Sequence, residues 1–320
     1  MVQASLGGAG VNFPETVRGV TIDLDDTLFP HSAFLSRAWS AVAAAGAAAG
    51  LPEQRFFDAL MSECARGSDR GGIIDRAVAM VGAPNEVVPG LVATFRAFAP
   101  DRLAPYPGAV EALSALRRLV PVACVTDGDP GLQRAKLRAL RLEDAFDAVV
   151  ISDELGREYR KPHPAPFLFA LDLLGVPASD AVHVGDRPEK DVAGPAAAGM
   201  AGAVRVRQGE YAEVPDDADG PTPLVTVLAV NEALRLITRA AGPRPAAWNP
   251  SGFVSAPMAR GDATTPFDAE RTALVAGAGA SHAAADLRSH ESHAFPQEAR
   301  RRVAQVDPTA TTSSLSGDER

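Results

Sequence analysis

The feature that most constrains the fold is the alternation of short aliphatic runs with helix-like segments between residues 105 and 240. The predicted strands cover residues 121–126, 148–152, 181–186 and 202–207, and the predicted helices cover 109–119, 131–140, 164–174, 189–199 and 224–240. An earlier run, VRGVTIDLD at 17–25, is rich in β-branched residues and predicts one more buried strand. Strands that alternate with helices form parallel sheets with helices on both faces. We therefore expect an α/β fold with a doubly wound parallel sheet.

Residues 32–104 show a different pattern, in which apolar residues such as Phe34, Leu35, Ala38 and Trp39 recur at helical spacing. This predicts an all-helical unit inserted into an α/β core formed by residues 17–31 and 105–240. Residues 1–16 are predicted to be an N-terminal tail. From residue 241 to 320, Pro, Ser, Thr, Ala and His dominate and periodic apolar positions are sparse, which predicts a disordered C-terminal tail.

The overall charge and the cysteine count restrict the function classes. The formal net charge of −9 is unfavourable for binding DNA, RNA or an anionic membrane, so we expect none of these three as a partner. The two cysteines, Cys64 and Cys124, do not form a disulfide framework or a zinc site, because Cys124 lies inside an apolar run. The first residues lack the pattern of a signal peptide, so a cytoplasmic location is expected. The sequence does not indicate an oligomeric state.

Chemically active residues follow the predicted strands. Asp23 and Asp25 end the first strand, Thr126 ends the second, Asp186 follows a later one, and Lys161 precedes a helix. The carboxyl ends of parallel strands meet at one edge of a sheet, where ligands bind. Carboxylates that converge there repel one another unless a cation joins them, and hard oxygen ligands suit Mg²⁺. The Thr126 hydroxyl and the Lys161 ammonium complete a pocket for a dianionic phosphate.

This set of residues resembles the four motifs of the haloacid dehalogenase superfamily, in order and in spacing. The motifs are Asp23, Asp25 and Thr27; Thr126; Lys161 followed by Pro162; and Gly185-Asp186 through Asp191. The resemblance covers about residues 17–210. It implies a Rossmann-like core with a helical cap inserted between the first and second motifs, which is where residues 32–104 lie.

The resemblance also implies the chemistry. Asp23 is expected to attack phosphorus and form an aspartyl-phosphate, and Asp25 to exchange protons with the leaving oxygen and with the hydrolytic water. Mg²⁺ is expected to be held by Asp23, the backbone carbonyl of Asp25 and Asp186. The predicted enzyme is a magnesium-dependent phosphatase that acts on a small phosphorylated metabolite.

The phosphate is expected to contact Thr126, Lys161 and the backbone N–H groups of Asp127 and Gly128. Asp191 is expected to orient Lys161 or a metal-bound water. Asp127 departs from the family pattern, in which Asn often follows the second-motif residue, and its carboxylate would repel phosphate unless it were turned away.

Other polar residues receive smaller roles. Asp26 is predicted to point away from the site, and His183, inside a predicted strand, to be structural. No histidine is nominated as catalytic. Arg66 and Arg70 lie in a glycine-containing segment of the helical insert and are possible substrate-specificity residues; the alternative is that both are solvated arginines on a turn.

Three alternative functions use the same fold. A dehalogenase needs the nucleophile but neither a second acid two residues later nor a metal, so Asp25 favours phosphoryl transfer. A phosphomutase would use the same acids. A catalytically inactive binding or scaffold protein is the alternative outside the enzymes, and the presence of all four motifs argues against it.

Overall fold

The computed structural model describes residues 13–242, and its centre is a six-stranded parallel sheet. In chain order the strands are β1 (Gly19–Ile22), β2 (Val122–Thr126), β3 (Ala148–Ile151), β4 (Ala181–Gly185), β5 (Gly202–Val206) and β6 (Val225–Val227). In space the order is β3-β2-β1-β4-β5-β6, and every pair is parallel. The predicted α/β fold with a doubly wound parallel sheet is therefore confirmed.

Helices cover both faces of this sheet and fill the segment between β1 and β2. They are α1 (His31–Ala48), α2 (Glu53–Cys64), α3 (Ile73–Met80), α4 (Val88–Ala97), α5 (Ala109–Arg117), α6 (Pro130–Leu140), α7 (Ala165–Leu174), α8 (Gly194–Ala197) and α9 (Val230–Ala240). One π-helical segment, Pro188–Ala193, precedes α8. Each central strand is buried along its whole length, as the aliphatic runs predict.

The order of the strands positions the functional site. β1 is the third strand of the sheet and pairs with β2 on one side and β4 on the other, so that Val20 lies opposite both Val122 and Val182. The chain first builds outward from β1 through β2 to β3, and then returns to the other side of β1 to add β4. Ligand sites of open α/β sheets form at such a reversal, outside the carboxyl ends of the strands.

The segment between β1 and α5 contains α1 to α4 and no strand, in agreement with the all-helical insert expected at residues 32–104. Its interior includes the stacked rings of Trp39 and Phe95, with centroids 4.5 Å apart, and the edge-on pair of Phe34 and Phe98 at 5.5 Å. The acidic Glu63 is buried in the insert, where it pairs with Arg66 and Arg76. The exact domain boundaries stay a prediction.

One element was predicted wrongly. The sequence predicts a single helix over residues 224–240, but the structure has strand β6 and then α9, which begins at Val230. Val225, Thr226 and Val227 are β-branched and pair in parallel with β5, which favours a strand. The backbone of Ala229 is extended, and Gln208 accepts a hydrogen bond from the N–H of Val230 at 2.8 Å, so the helix starts only there.

Two further expectations concern the ends of the chain. The predicted tails at 1–16 and 241–320 lie almost entirely outside the described residues. At their inner ends, Ala241 forms a bridge with Val17, and Gly242 donates a backbone hydrogen bond to the Val17 carbonyl at 3.0 Å. None of the helices in residues 13–242 combines the length and the apolar character that a membrane span requires.

Candidate active site

A cavity of about 290 Å³ opens at the carboxyl end of the sheet. The core contributes Asp23, Asp25, Thr126, Lys161 and Asp191 to its lining. Residues of α1, α4 and the loop between α2 and α3 line it from the other side, so that the helical insert and the core share one cavity. The sequence predicts that the motif residues converge at this edge, and the structure places them there.

Asp23 follows β1 directly, and its backbone N–H donates to the Val184 carbonyl of the neighbouring strand at 2.9 Å. Its side chain is 8% exposed, Lys161 Nζ lies 2.6 Å from its Oδ1, and the Thr27 hydroxyl lies 3.4 Å from its Oδ2. Burial raises the pKa of Asp23 to about 7, although the charge of Lys161 acts in the opposite direction. Asp23 is therefore a buried, fixed carboxyl at the bottom of the cavity.

Asp186 completes an acidic cluster with Asp23 and Asp191. One carboxylate oxygen from each residue lies within 4.8 Å of the others. Both side-chain oxygens of Asp186 are buried and have no hydrogen-bond partner. Burial and the charges of Asp191 and Asp23 raise the pKa of Asp186 well above its usual value. A buried carboxylate without a donor is costly, and a divalent cation shared with Asp23 would remove that cost.

Asp191 has a different environment, because both of its oxygens are occupied. Oδ1 accepts hydrogen bonds from Lys161 Nζ at 2.7 Å and is 3.2 Å from His183 Nε2, and Oδ2 accepts from the Arg187 N–H at 3.0 Å. Burial opposes ionisation, but Lys161 and His183 hold the pKa of Asp191 well below its usual range. A side chain on Gly185 would overlap Asp191, so only glycine allows this close approach. The contact with Lys161 is the one expected if Asp191 orients that lysine, a role that stays a prediction.

His183 lies in β4 and is fully buried. Its Nδ1 is 2.8 Å from the Thr21 hydroxyl of β1, and its Nε2 faces Asp191. Burial lowers the pKa of His183, which favours the neutral ring. These contacts are those of the structural role that the sequence predicts.

Asp25 faces the cavity beside Asp23 but has its own partners. Lys136 Nζ lies 2.8 Å from each of its carboxylate oxygens, and Gln133 Nε2 donates to Oδ2 at 3.0 Å. Burial opposes ionisation, but His31, Lys136 and Gln133 together hold the pKa of Asp25 well below its usual range. Burial also lowers the pKa of His31 to about 3, so its ring is neutral near pH 7 and Lys136 supplies the charge.

Sequence reasoning missed Lys136 and Gln133 as site residues. A signal for Lys136 was available: the chain has only three lysines, Lys136, Lys161 and Lys190, and all three line this cavity.

The loop after β2 contains the predicted phosphate-binding residues. The Thr126 hydroxyl accepts a hydrogen bond from Gln133 Nε2 at 2.5 Å. The Asp127 carboxylate accepts hydrogen bonds through Oδ1 from the Ser152 hydroxyl at 2.7 Å and the Lys161 N–H at 3.1 Å, while Asp127 still lines the cavity. Burial opposes ionisation of Asp153, but Arg160 and a backbone hydrogen bond from Gly128 lower its pKa, so the Gly128 N–H is already engaged. The phosphate-binding roles stay predictions.

Arg66 and Arg70 are exposed and are not among the residues that line the cavity. Arg66 pairs with Glu63 at 2.9 Å, and Arg70 Nη1 lies 3.4 Å from the Arg66 carbonyl. Their role in specificity stays a prediction that this arrangement does not favour. The cationic side chains that line the cavity mouth are Arg96, Arg157, Arg160, Arg187 and Lys190.

Asp26 points away from the cavity, as expected, and connects three segments. Its carboxylate accepts hydrogen bonds from the N–H of His31 at 2.9 Å and from the N–H of Glu210 at 3.1 Å. Asp26 therefore ties the start of the first inserted helix to the loop after β5.

The comparisons with known proteins agree with this geometry. Residues 17–199 match the family model described as haloacid dehalogenase-like hydrolase. The glyceraldehyde 3-phosphate phosphatase of Methanopyrus kandleri is 34% identical over 215 residues, which cover 65% of this chain and 91% of that protein. The phosphoserine phosphatase of Thermus thermophilus is 43% identical over 112 residues, which cover 35% of this chain and 44% of that protein.

The solved structure of a 2-haloacid dehalogenase from Pseudomonas syringae superposes with a TM-score of 0.51 at 25% identity. The superposition covers 71% of this chain and all of the dehalogenase. The family model spans more than half of the chain, and its match includes Asp23, Lys161 and Asp186. The chain therefore belongs to the haloacid dehalogenase-like hydrolases.

Proposed function

We propose that this chain is a magnesium-dependent phosphatase that hydrolyses a small phosphorylated metabolite through phosphorylated Asp23. The observation that carries the proposal is the position of Asp25: its carboxyl lines the same cavity as Asp23 and Lys161. Dehalogenation at Asp23 would need no second carboxyl there, whereas phosphate transfer needs a group that exchanges protons with the leaving oxygen and with water.

The first chemical step is attack on phosphorus by Asp23. Its carboxylate is held by Lys161 at 2.6 Å, and Lys161 is held in turn by Asp191 at 2.7 Å. We propose that the ammonium of Lys161 stabilises negative charge on the transferring phosphoryl group. The bond between phosphorus and the leaving oxygen breaks as the bond to Asp23 forms. In the second step water attacks phosphorus, the bond to Asp23 breaks, and Asp25 receives the water's proton.

The proposed metal is Mg²⁺, held by Asp23 and Asp186. The support is chemical: both Asp186 oxygens are buried without partners, and the acids of the cluster bring oxygen atoms within 4.8 Å of one another. When bound, Mg²⁺ would screen these acids from the substrate and stabilise charge on the phosphoryl group. Asp191 is not needed as a ligand, because Lys161, His183 and the Arg187 N–H already occupy its oxygens.

The size of the cavity supports a small substrate. A volume of about 290 Å³ suits a small metabolite. Two of the relatives are named for phosphatase activity on glyceraldehyde 3-phosphate and on phosphoserine, which are small esters. We propose a substrate of this kind, with no nucleic acid or membrane partner. The cytoplasmic location stays a prediction.

The experiment is phosphate release from a panel of esters, with and without Mg²⁺. The panel includes p-nitrophenyl phosphate, glyceraldehyde 3-phosphate, phosphoserine and a haloacid such as 2-chloropropionate. We expect Mg²⁺-dependent release of phosphate from at least one phosphorylated metabolite and no halide release. Halide release without metal, or no hydrolysis of any phosphate ester, would contradict the proposed function.

A further inference from the structure

Lys136 is a buried cation for which the proposed reaction gives no role so far. It lies on α6, its side chain is 5% exposed, and its ammonium is 4.6 Å from the centroid of the Phe34 ring. Its Nζ contacts both oxygens of Asp25 at 2.8 Å. Burying a lysine is unfavourable unless its charge is paired, so this pair must be tightly held for the site to be stable.

A second donor on the same helix fixes the plane of the Asp25 carboxyl. Gln133 is three residues before Lys136, so the two side chains lie on the same face of α6. Gln133 Nε2 is 3.0 Å from Asp25 Oδ2 and 2.5 Å from the Thr126 hydroxyl. The start of the helix is secured by Asp129, whose Oδ1 accepts a hydrogen bond from the Leu132 N–H at 3.1 Å. Helix α6 thus holds the Asp25 carboxyl through the side chains of Gln133 and Lys136.

The other two lysines of the chain are committed to other partners. Lys161 contacts Asp23 and Asp191, and Lys190 lies 3.2 Å from Asp127 and 3.3 Å from Asp69. Besides Asp25, the Lys136 ammonium lies beside His31, whose Nε2 is 3.4 Å away and whose ring is neutral. Lys136 is therefore the cation dedicated to Asp25.

We propose that Lys136 is a positioning residue, which holds Asp25 in the orientation needed to receive a proton from the water that hydrolyses phosphorylated Asp23. This inference rests on the proposed function. In that step the water oxygen bonds to phosphorus, its proton moves to Asp25, and the bond between phosphorus and Asp23 breaks with its electrons returning to the Asp23 carboxylate. Inorganic phosphate is then released.

With p-nitrophenyl phosphate as substrate, loss of the contact between Lys136 and Asp25 should affect kcat and kcat/KM differently. The p-nitrophenolate ion is a stable leaving group, so attack by Asp23 on this ester needs no proton from Asp25. The value of kcat/KM reports that first step, whereas kcat includes hydrolysis of the phosphorylated enzyme. Displacing Asp25 should therefore lower kcat and leave kcat/KM nearly unchanged, with KM falling in proportion.

The test compares Lys136→Met with wild type, in Mg²⁺ and with p-nitrophenyl phosphate. Lys136→Met keeps the length of the side chain and removes the charge. General-base catalysis contributes about 10²–10⁴-fold, so loss of correct positioning is expected to lower kcat by about tenfold or more. The value of kcat/KM should change by less than about threefold. Stopped-flow traces should show a burst of about one nitrophenolate per active site, as phosphorylated enzyme accumulates.

Two further variants control for structural damage. Lys136→Arg keeps the charge and should recover part of kcat, and Arg138→Met removes an exposed cation from the same helix and should match wild type. If Lys136→Met does not fold by circular dichroism, Gln133→Leu removes the second contact to Asp25 and should show the same burst in weaker form.

Three results would overturn the inference. For a folded Lys136→Met variant, these are an equal fall in kcat and kcat/KM without a burst, or an unchanged kcat. If Lys136→Met does not fold, the third is the absence of a burst in a folded Gln133→Leu variant. Failure of the proposed function itself would look different, because the wild-type protein would then release no phosphate from any ester in Mg²⁺.

Discussion

Asp69, in the loop between α2 and α3 of the helical insert, forms an ion pair with Arg187, which follows β4 of the core, at 2.6 Å. Lys190 lies 3.3 Å from the same carboxylate. The neighbouring Ser68 donates hydrogen bonds to Glu210 through its hydroxyl at 2.5 Å and its N–H at 3.1 Å. The loop of the insert therefore contacts the core at the cavity mouth, and Asp69 occupies two cations that an anion could otherwise bind.

The first prediction concerns competition at these cations. Asp69→Asn should strengthen inhibition by inorganic phosphate, lowering its inhibition constant by roughly two- to tenfold, because Arg187 and Lys190 lose a competing carboxylate. Inhibition of p-nitrophenyl phosphate hydrolysis measures this. Ser68→Ala is the matched control, since it weakens the contact with Glu210 without altering the cations. Equal effects of both variants would point to loop docking rather than charge competition.

The second prediction concerns the nucleophile. Asp23→Asn should lower kcat by about 10³-fold or more, because the amide cannot form the phosphorylated intermediate. The variant should stay folded, since asparagine has almost the same shape. Asp180→Asn is a suitable control, because it changes a carboxyl just before β4, at the opposite end of that strand from the site. A folded Asp23→Asn protein with near-wild-type kcat would disprove the assignment.

The third prediction concerns metal binding and has a readout independent of activity. Mg²⁺ at about 100 times its Kd should stabilise the protein by about 2.7 kcal/mol, which raises Tm by roughly 5–11 °C in a domain of this size. EDTA should remove both this shift and the phosphatase activity. Asp186→Asn should abolish the shift, because Asp186 is one of the two proposed ligand residues and its oxygens have no other partner among the described residues. A Tm that does not respond to Mg²⁺ in wild type would argue against the metal site.

The fourth prediction concerns substrate recognition by the insert. Arg96 is an exposed arginine on α4 that lines the cavity, whereas Arg66 and Arg70 do not line it. Arg96→Ala should raise KM for a phosphorylated carboxylic acid such as phosphoserine by roughly three- to tenfold. It should change KM for p-nitrophenyl phosphate little, because that ester has no second anionic group. Measuring both constants for Arg70→Ala in parallel tests the specificity role predicted from sequence, and a larger effect there would reverse the assignment.

The fifth prediction concerns the C-terminal residues. A chain truncated after Gly242 should keep its Tm and kcat, because the composition beyond that point offers little apolar area to offset about 1–2 kcal/mol of backbone entropy per ordered residue. Truncation before Ala241 should lower Tm, since Ala241 and Gly242 contact Val17. Thermal unfolding and p-nitrophenyl phosphate assays of the two truncated chains decide between these outcomes. A loss of stability in the longer one would show that the removed residues pack on the core.

The order of strands and helices as far as β5, and the positions of Asp23, Asp25, Thr126, Lys161 and Asp186 at one sheet edge, were predictable from sequence. Aliphatic β-branched runs and helical periodicity are local signals, and parallel strands necessarily place their carboxyl ends together. Strand β6 was missed because its conformation depends on tertiary pairing and not on a local sequence signal. Three residues carry too little local signal, and pairing with β5 decides their conformation.

The partners of the site residues were decided by tertiary structure. Lys136 contacts Asp25 across a separation of 111 residues in the sequence, and this pairing depends on which face of α6 lies toward the cavity. Arg66 turns instead to Glu63, three residues away on the chain, because a buried carboxylate requires a cation. Sequence spacing determines which residues come to the same edge of the sheet. The packing of helices against that edge determines which charges meet, because ion pairs form over a few ångströms that no local pattern encodes.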